Sequence, residues 1–251
     1  GTTGNTTTDT EILRRFDLML ASDNVLAAVG VNNGNSTTLP NLLSQSYNAL
    51  SVGLSSGNHS AGTTTLDGAG RTRPHLVVPT SATSWATATV TSAAALLLET
   101  ATTTPALNNA AENPVLRALL MGGANKNVPD FGRAWSNNST HPLDERFGAG
   151  QLDIETSHTI LAAGEQSASP SVDTASTGWD LATTSNATAT YFFDLSAESG
   201  PISLTASLSW NSIVTATDPP GPSGYTFTTT VPNLDLRLYS ATDFTLDALE
   251  A

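Results

Sequence analysis

Ser84 stands where a loop of small and polar residues, Pro79-Thr80-Ser81-Ala82-Thr83, runs into a long stretch of Ala, Thr, Val and Leu. A serine at the first turn of a helix has two uses. It can cap the helix, its oxygen accepting from the free amides of that turn. It can also act as a nucleophile, because the same amides and the helix dipole stabilise the oxyanion its attack creates. The second use needs an imidazole base with a carboxylate behind it. Asn32, in Val31-Asn32-Asn33-Gly34, also divides two ways. Asn-Asn-Gly is a good turn, and an asparagine amide can donate to an oxyanion.

The chain has four histidines. His59, in Gly57-Asn58-His59-Ser60, reads as a surface polar residue of a turn-rich loop. His75 opens the strand that feeds the Ser84 loop, but a base must reach its nucleophile directly. His141 precedes Pro142, and His158 follows Glu155 on an expected helix. Neither has metal-ligand spacing with another histidine, which argues against zinc. Asp9, Asp17 and Asp23 read as a helix cap, a helix-surface charge and a turn former. No cofactor is required by this chemistry. A structural calcium stays open, since its oxygen ligands can come from scattered loops such as Asp67 or Asp144-Glu145.

The elements that must position these residues alternate. Apolar positions 12, 13, 16, 19 and 20 predict a one-sided helix capped by Asp9 or Thr10. Val25–Val31 is an unbroken apolar run that predicts a strand buried on both faces of a parallel sheet. Further strands are expected at 49–54 and 75–79. Ser84–Leu98, small or apolar on nearly every face, predicts a buried helix. Shorter helices follow at 114–121 and 152–163, so residues 1–165 read as α/β. A Ser/Thr/Ala/Gly-rich linker is expected at 166–182. In 183–251, strands are expected at 191–193, at 202–210 and at 234–238, the last two alternating in period two as in part of an antiparallel β-sandwich.

Segments in this order resemble the subtilisin-like serine proteases. Ala82-Thr83-Ser84 and the helix after it resemble the nucleophile segment, and Val25 to Gly34 the strand and turn of the oxyanion asparagine, which matches Asn32. Tyr47 to Leu54, Arg73 to Pro79 and Phe147-Gly148-Ala149-Gly150 resemble later segments. Ile202 to Leu236 resembles the jelly-roll-like sandwich that follows the catalytic domain in large members. Ala82 and Val31 stand where the family has glycine, and Ala88 and Thr89 where it has proline and histidine. The resemblance implies a serine endopeptidase in which Ser84 attacks and Asn32 supports the oxyanion. The family's Asp and His precede the oxyanion segment, and no histidine precedes Asn32. The chain therefore reads as the C-terminal half of the catalytic domain plus a partial sandwich. Its expected partners are a polypeptide substrate and an upstream fragment of the same protein. The polar stub Gly1–Asp9 reads as the interior of a longer chain rather than a signal peptide. The alternative is a catalytically inactive relative acting as a secreted binding or structural module.

Composition narrows the partners. In 251 residues there are 22 acidic and 9 basic side chains, a net charge of -13, and Lys126 is the only lysine. Such a surface repels nucleic acid. The absence of cysteine removes disulfides, thiol catalysis and thiolate metal sites. No apolar run is long enough to span a membrane. A Thr/Ser/Asn-rich, lysine-poor surface points outside the cell or to its surface.

Overall fold

The structure, a computed structural model, describes residues 2–64, 70–138, 141–183, 188–217 and 224–250. Helix α1 (Thr6–Ser22) begins a turn earlier than its apolar period predicts. Asn5 caps it, accepting from Thr7 N and Thr8 N at 3.0 and 3.2 Å. Asp9, expected as the cap, instead accepts from Thr3 N at 2.7 Å and from the Thr2 and Thr3 hydroxyls. Asp17, expected as a surface charge, is 2% exposed. Its carboxylate accepts from Asn48 N at 3.0 Å, Tyr47 N at 3.2 Å and the Ser46 hydroxyl. A buried carboxylate is tolerable only with such donors.

Strands β1 (Ala28–Gly30) and β2 (Leu50–Leu54) pair in parallel, as do β2 and β5 (Leu76–Val78), giving the order β1-β2-β5. Between β2 and β5 an antiparallel pair, β3 (Gly62–Thr64) and β4 (Arg71–Arg73), is inserted. β1 is shorter than the apolar run and half-buried rather than enclosed on both faces. β2 is buried along its whole length, as an unalternating apolar segment requires.

Helix α2 (Thr83–Thr103) packs on all three strands. Its buried positions, Thr83, Ala86, Val90, Ala93, Ala94, Leu97 and Ala101, follow a single 3.6-residue stripe. Burial on every face is not observed: Trp85, Leu96 and Leu98 are exposed. Small residues tolerate either environment, so their pattern does not distinguish a one-sided helix from a buried one. Helices α3 (Asn113–Gly122) and α4 (Ile154–Ala162) complete the core through Leu116, Leu119, Leu120 and Leu161. The result is a mixed α/β unit.

Within 166–182, Trp179 packs into this same core and donates Nε1–H to Leu161 O at 3.0 Å. Beyond it, among the described residues, lie two separate two-stranded antiparallel sheets. One is β6 (Ile213–Thr217) with β7 (Thr226–Thr230), and the other β8 (Tyr239–Thr242) with β9 (Thr245–Leu249). The expected strands at 202–210 and 234–238 do not form, and Phe192 makes a single bridge to Asp173. Ile202, Leu204, Leu208, Leu236 and Leu238 are exposed. Alternation alone does not make a strand where no neighbouring backbone accepts its hydrogen bonds. Arg14 and Arg15 of α1 tie the β6–β7 hairpin down. Arg14 Nη1 donates to Phe227 O at 3.2 Å, and the Arg15 guanidinium lies 4.9 Å from the Phe227 ring centre. Among the described residues, no helix is long and apolar enough to cross a membrane.

Candidate active site

The end of β1 and the start of α2 are held against each other. At Gly30 a Cβ would lie 2.9 Å from Thr87 Oγ1 and 3.3 Å from Thr83 O, so only glycine lets the helix approach this closely. Val31 N continues the sheet to Val52 O at 3.0 Å. The chain then turns along residues 58–60. Asn32 N donates to Ser60 Oγ at 3.0 Å, Ser60 N to Asn32 O at 2.8 Å, and Gly34 N to Asn58 O at 3.0 Å.

Ala82 occupies the N-cap of α2 in an extended conformation and has no capping side chain. Ser84 is therefore not the cap. Asn33 does that work from 50 residues away, its Oδ1 accepting from Thr83 N at 2.8 Å. Trp85 N and Ala86 N both donate to Ala82 O at 3.1 Å. Ser84 is exposed, and among the described residues neither its hydroxyl nor its N–H has a partner. The Asn33 Nδ2 amide is likewise unbonded. Two unspent donors thus accompany a free hydroxyl at the positive end of a 21-residue helix.

Asn32 is placed differently. Its Nδ2 donates to Thr38 O at 3.0 Å, within its own loop. Of the two adjacent asparagines, the structure brings the second rather than Asn32 to the helix. The contact that separates them is remote in sequence, and neither turn chemistry nor local period reveals it.

The histidines are not beside Ser84. His59, expected at the surface, is 0% exposed. Its Nδ1 accepts from Leu54 N at 3.0 Å, which leaves the proton on Nε2, 2.9 Å from Arg146 O. Burial pushes its pKa down to about 4. Gly53 makes room for it, since a Cβ there would meet the ring at 2.8 Å. His75 contacts Ser51 N through Nδ1 at 3.0 Å and Arg73 Nη1 through Nε2 at 2.8 Å. Burial, then the adjacent Arg73 charge, hold its pKa well below the ordinary value. Among the described residues no imidazole is hydrogen-bonded to Ser84.

Of the acidic candidates for calcium, Asp144 is already engaged by other donors. Asp144 receives Arg133 in a two-pronged pair at 2.7 and 2.8 Å and the amides of Ser136, Arg146 and Phe147. Burial alone would raise its pKa, and these donors outweigh that and hold it below the usual carboxylate range. Asp67 lies outside the described residues. Among those residues no three His, Cys, Asp or Glu side chains converge as metal ligands.

No protein-family model matches the sequence, and no curated protein does. Among solved structures the chain is similar to the patellamide maturation protease PatA, with 20% identity and a TM-score of 0.34 over 61% of this chain. The chain spans 57% of the length of that structure. A likeness this loose carries no weight beside the contacts at Ser84, Asn33 and Gly30.

Proposed function

We propose that this chain carries the nucleophile and oxyanion side of a subtilisin-like serine endopeptidase acting on extended polypeptide outside the cell or at its surface. The hydrogen bond from Thr83 N to Asn33 Oδ1 carries the reading, because it fixes a free side-chain amide beside the N-terminus that presents Ser84. Ser84 Oγ attacks the scissile carbonyl carbon and passes its proton to a histidine. The carbonyl oxygen, now negative, accepts from Ser84 N–H and Asn33 Nδ2. Collapse of the adduct expels the amine, which takes the proton back, and water then releases the acyl group from Ser84. The histidine and its aspartate come from a preceding segment of the same protein that associates with this chain.

The test is intact-mass analysis of the native, unfractionated protein after fluorophosphonate treatment. A single adduct on Ser84, absent from S84A, is expected. No adduct in a sample that contains the preceding segment would sink the reading. A second reading, an inactive relative that binds polypeptide, is favoured by Val31 and Ala82 at positions where the resembled family has glycine. That unlabelled outcome is the one it expects.

A further inference from the structure

A groove of about 600 Å³ runs between α2 and α4, apart from Ser84. Its apolar lining is Leu96, Leu97 and Ile154, and Leu96 is 56% exposed, a large apolar side chain left in water. Around it stand Glu99 and Glu155, with His158, Thr100 and Thr159 completing the polar lining. The placement of the two carboxylates is selective: Glu99 is the single charged residue in the 21 of α2, and Glu155 the single carboxylate in the 9 of α4. Glu155 sits in the first turn of α4, where the helix dipole favours it. Glu99 has no such reason, lying near the C-terminal end of α2, where the dipole opposes a negative charge. Neither carboxylate is in an ion pair among the described residues.

We infer that this groove is a docking site for a basic amphipathic peptide segment of a partner protein, with leucine-like anchors in the groove and Lys or Arg opposite Glu99 and Glu155. The volume suits one or two apolar side chains and is within the ordinary range for clefts. Charge complementarity selects the partner: two unpaired carboxylates on a chain of net charge -13 attract a cationic segment and repel an acidic one.

The test uses the whole chain and a fluorescein-labelled peptide of repeated Lys-Leu-Leu-Lys units, read by anisotropy, with backbone amide NMR shifts locating the site. Expected are shifts confined to α2 and α4 around Leu96 and Ile154, weakening of binding as salt rises, and about tenfold weaker binding for Leu96→Asp. Glu99→Gln with Glu155→Gln is expected to weaken binding by about two- to tenfold at low salt, the range for exposed charge pairs. Leu96 is exposed, so circular dichroism should show each variant folded. No binding, shifts elsewhere, equal binding of a Glu-Leu-Leu-Glu peptide, insensitivity to Leu96→Asp, or a dimer that Leu96→Asp abolishes would each overturn the inference.

Discussion

Asn48 and Ser212, 164 residues apart, hold each other by opposed hydrogen bonds: Ser212 N donates to Asn48 Oδ1 at 2.8 Å, and Asn48 Nδ2 donates to Ser212 O at 3.2 Å. The same Nδ2 reaches Asp17 O at 2.9 Å, and both residues are buried. Arg117 reinforces the seam, donating to Tyr47 O at 2.8 Å, Trp210 O at 2.9 Å and Asn211 Oδ1 at 2.6 Å. One asparagine thus joins α1, the approach to β2 and the entry to β6.

Asn48→Ala strands those backbone groups. An unsatisfied buried polar group costs about 1–3 kcal/mol, and relaxation keeps the sum below full additivity, so a loss of about 2–4 kcal/mol is expected. Urea denaturation measures it. Hydrogen exchange should show protection lost first along Ile213–Thr217, and unchanged protection there would show that Asn48 does not hold the hairpin.

Burial of His59 predicts acid lability. Its folded pKa of about 4 lies below the ordinary 6.5, so between these values the unfolded chain binds the extra proton. Stability from this residue is complete above about pH 6.5 and is lost as pH falls toward 4, up to about 3 kcal/mol. His75 acts with the same sign. Asp17, whose pKa burial raises, acts oppositely near the carboxylate range. Urea midpoints taken between pH 7 and pH 4 should fall, and His59→Gln should flatten that slope. A slope equal in wild type and variant would remove His59 as its source.

Gly148 and Gly132 both have positive φ, +59° and +67°, but different surroundings. A Cβ at Gly148 would lie 2.3 Å from His75 O and 2.5 Å from Pro74 O, both rigid backbone, whereas at Gly132 nothing lies within 4 Å. Gly132→Ala should cost about 1–2 kcal/mol from left-handed strain alone. Gly148→Ala adds displacement of the strand end next to β5, and should cost about 3 kcal/mol or more. Equal melting temperatures for the two variants would contradict the packing around His75.

Sequence periodicity places α2, α3, α4 and the strands β1, β2 and β5 along the chain; the unbroken apolar runs of β2 and β5 match their full burial, whereas those of β1 and α2 overstate it. It misjudged what lies beyond one element. The carboxylate of Asp17 and the ring of His59 read as surface groups because their partners, Asn48 and Arg146, are remote in sequence. Ile202–Trp210 read as a strand because alternation records a preference, not the presence of a neighbour. Ser84 is legible as a helix-start serine, and the asparagine that contacts the start of α2 is legible only to within one residue.

That one-residue difference yields the sharpest prediction. If the Ser84 site is active, Asn33→Ala should lower kcat by about 10²–10³, a figure that belongs to subtilisin's own oxyanion asparagine and is carried over by resemblance. It should leave KM nearly unchanged, because the donated bond strengthens only as the carbonyl oxygen becomes negative. Asn32→Ala removes a bond to Thr38 O and no donor at α2, so its effect on kcat should stay within about threefold, as for a surface loop change of under 1 kcal/mol. Asn33→Asp makes the contrast stricter: it keeps an acceptor for Thr83 N and withdraws the amide donor. Its stability should match wild type within about 1 kcal/mol while kcat falls as in Asn33→Ala. A full-rate Asn33→Asp enzyme, or the larger loss in Asn32→Ala, would assign the oxyanion to the first asparagine and reduce Asn33 to a helix cap.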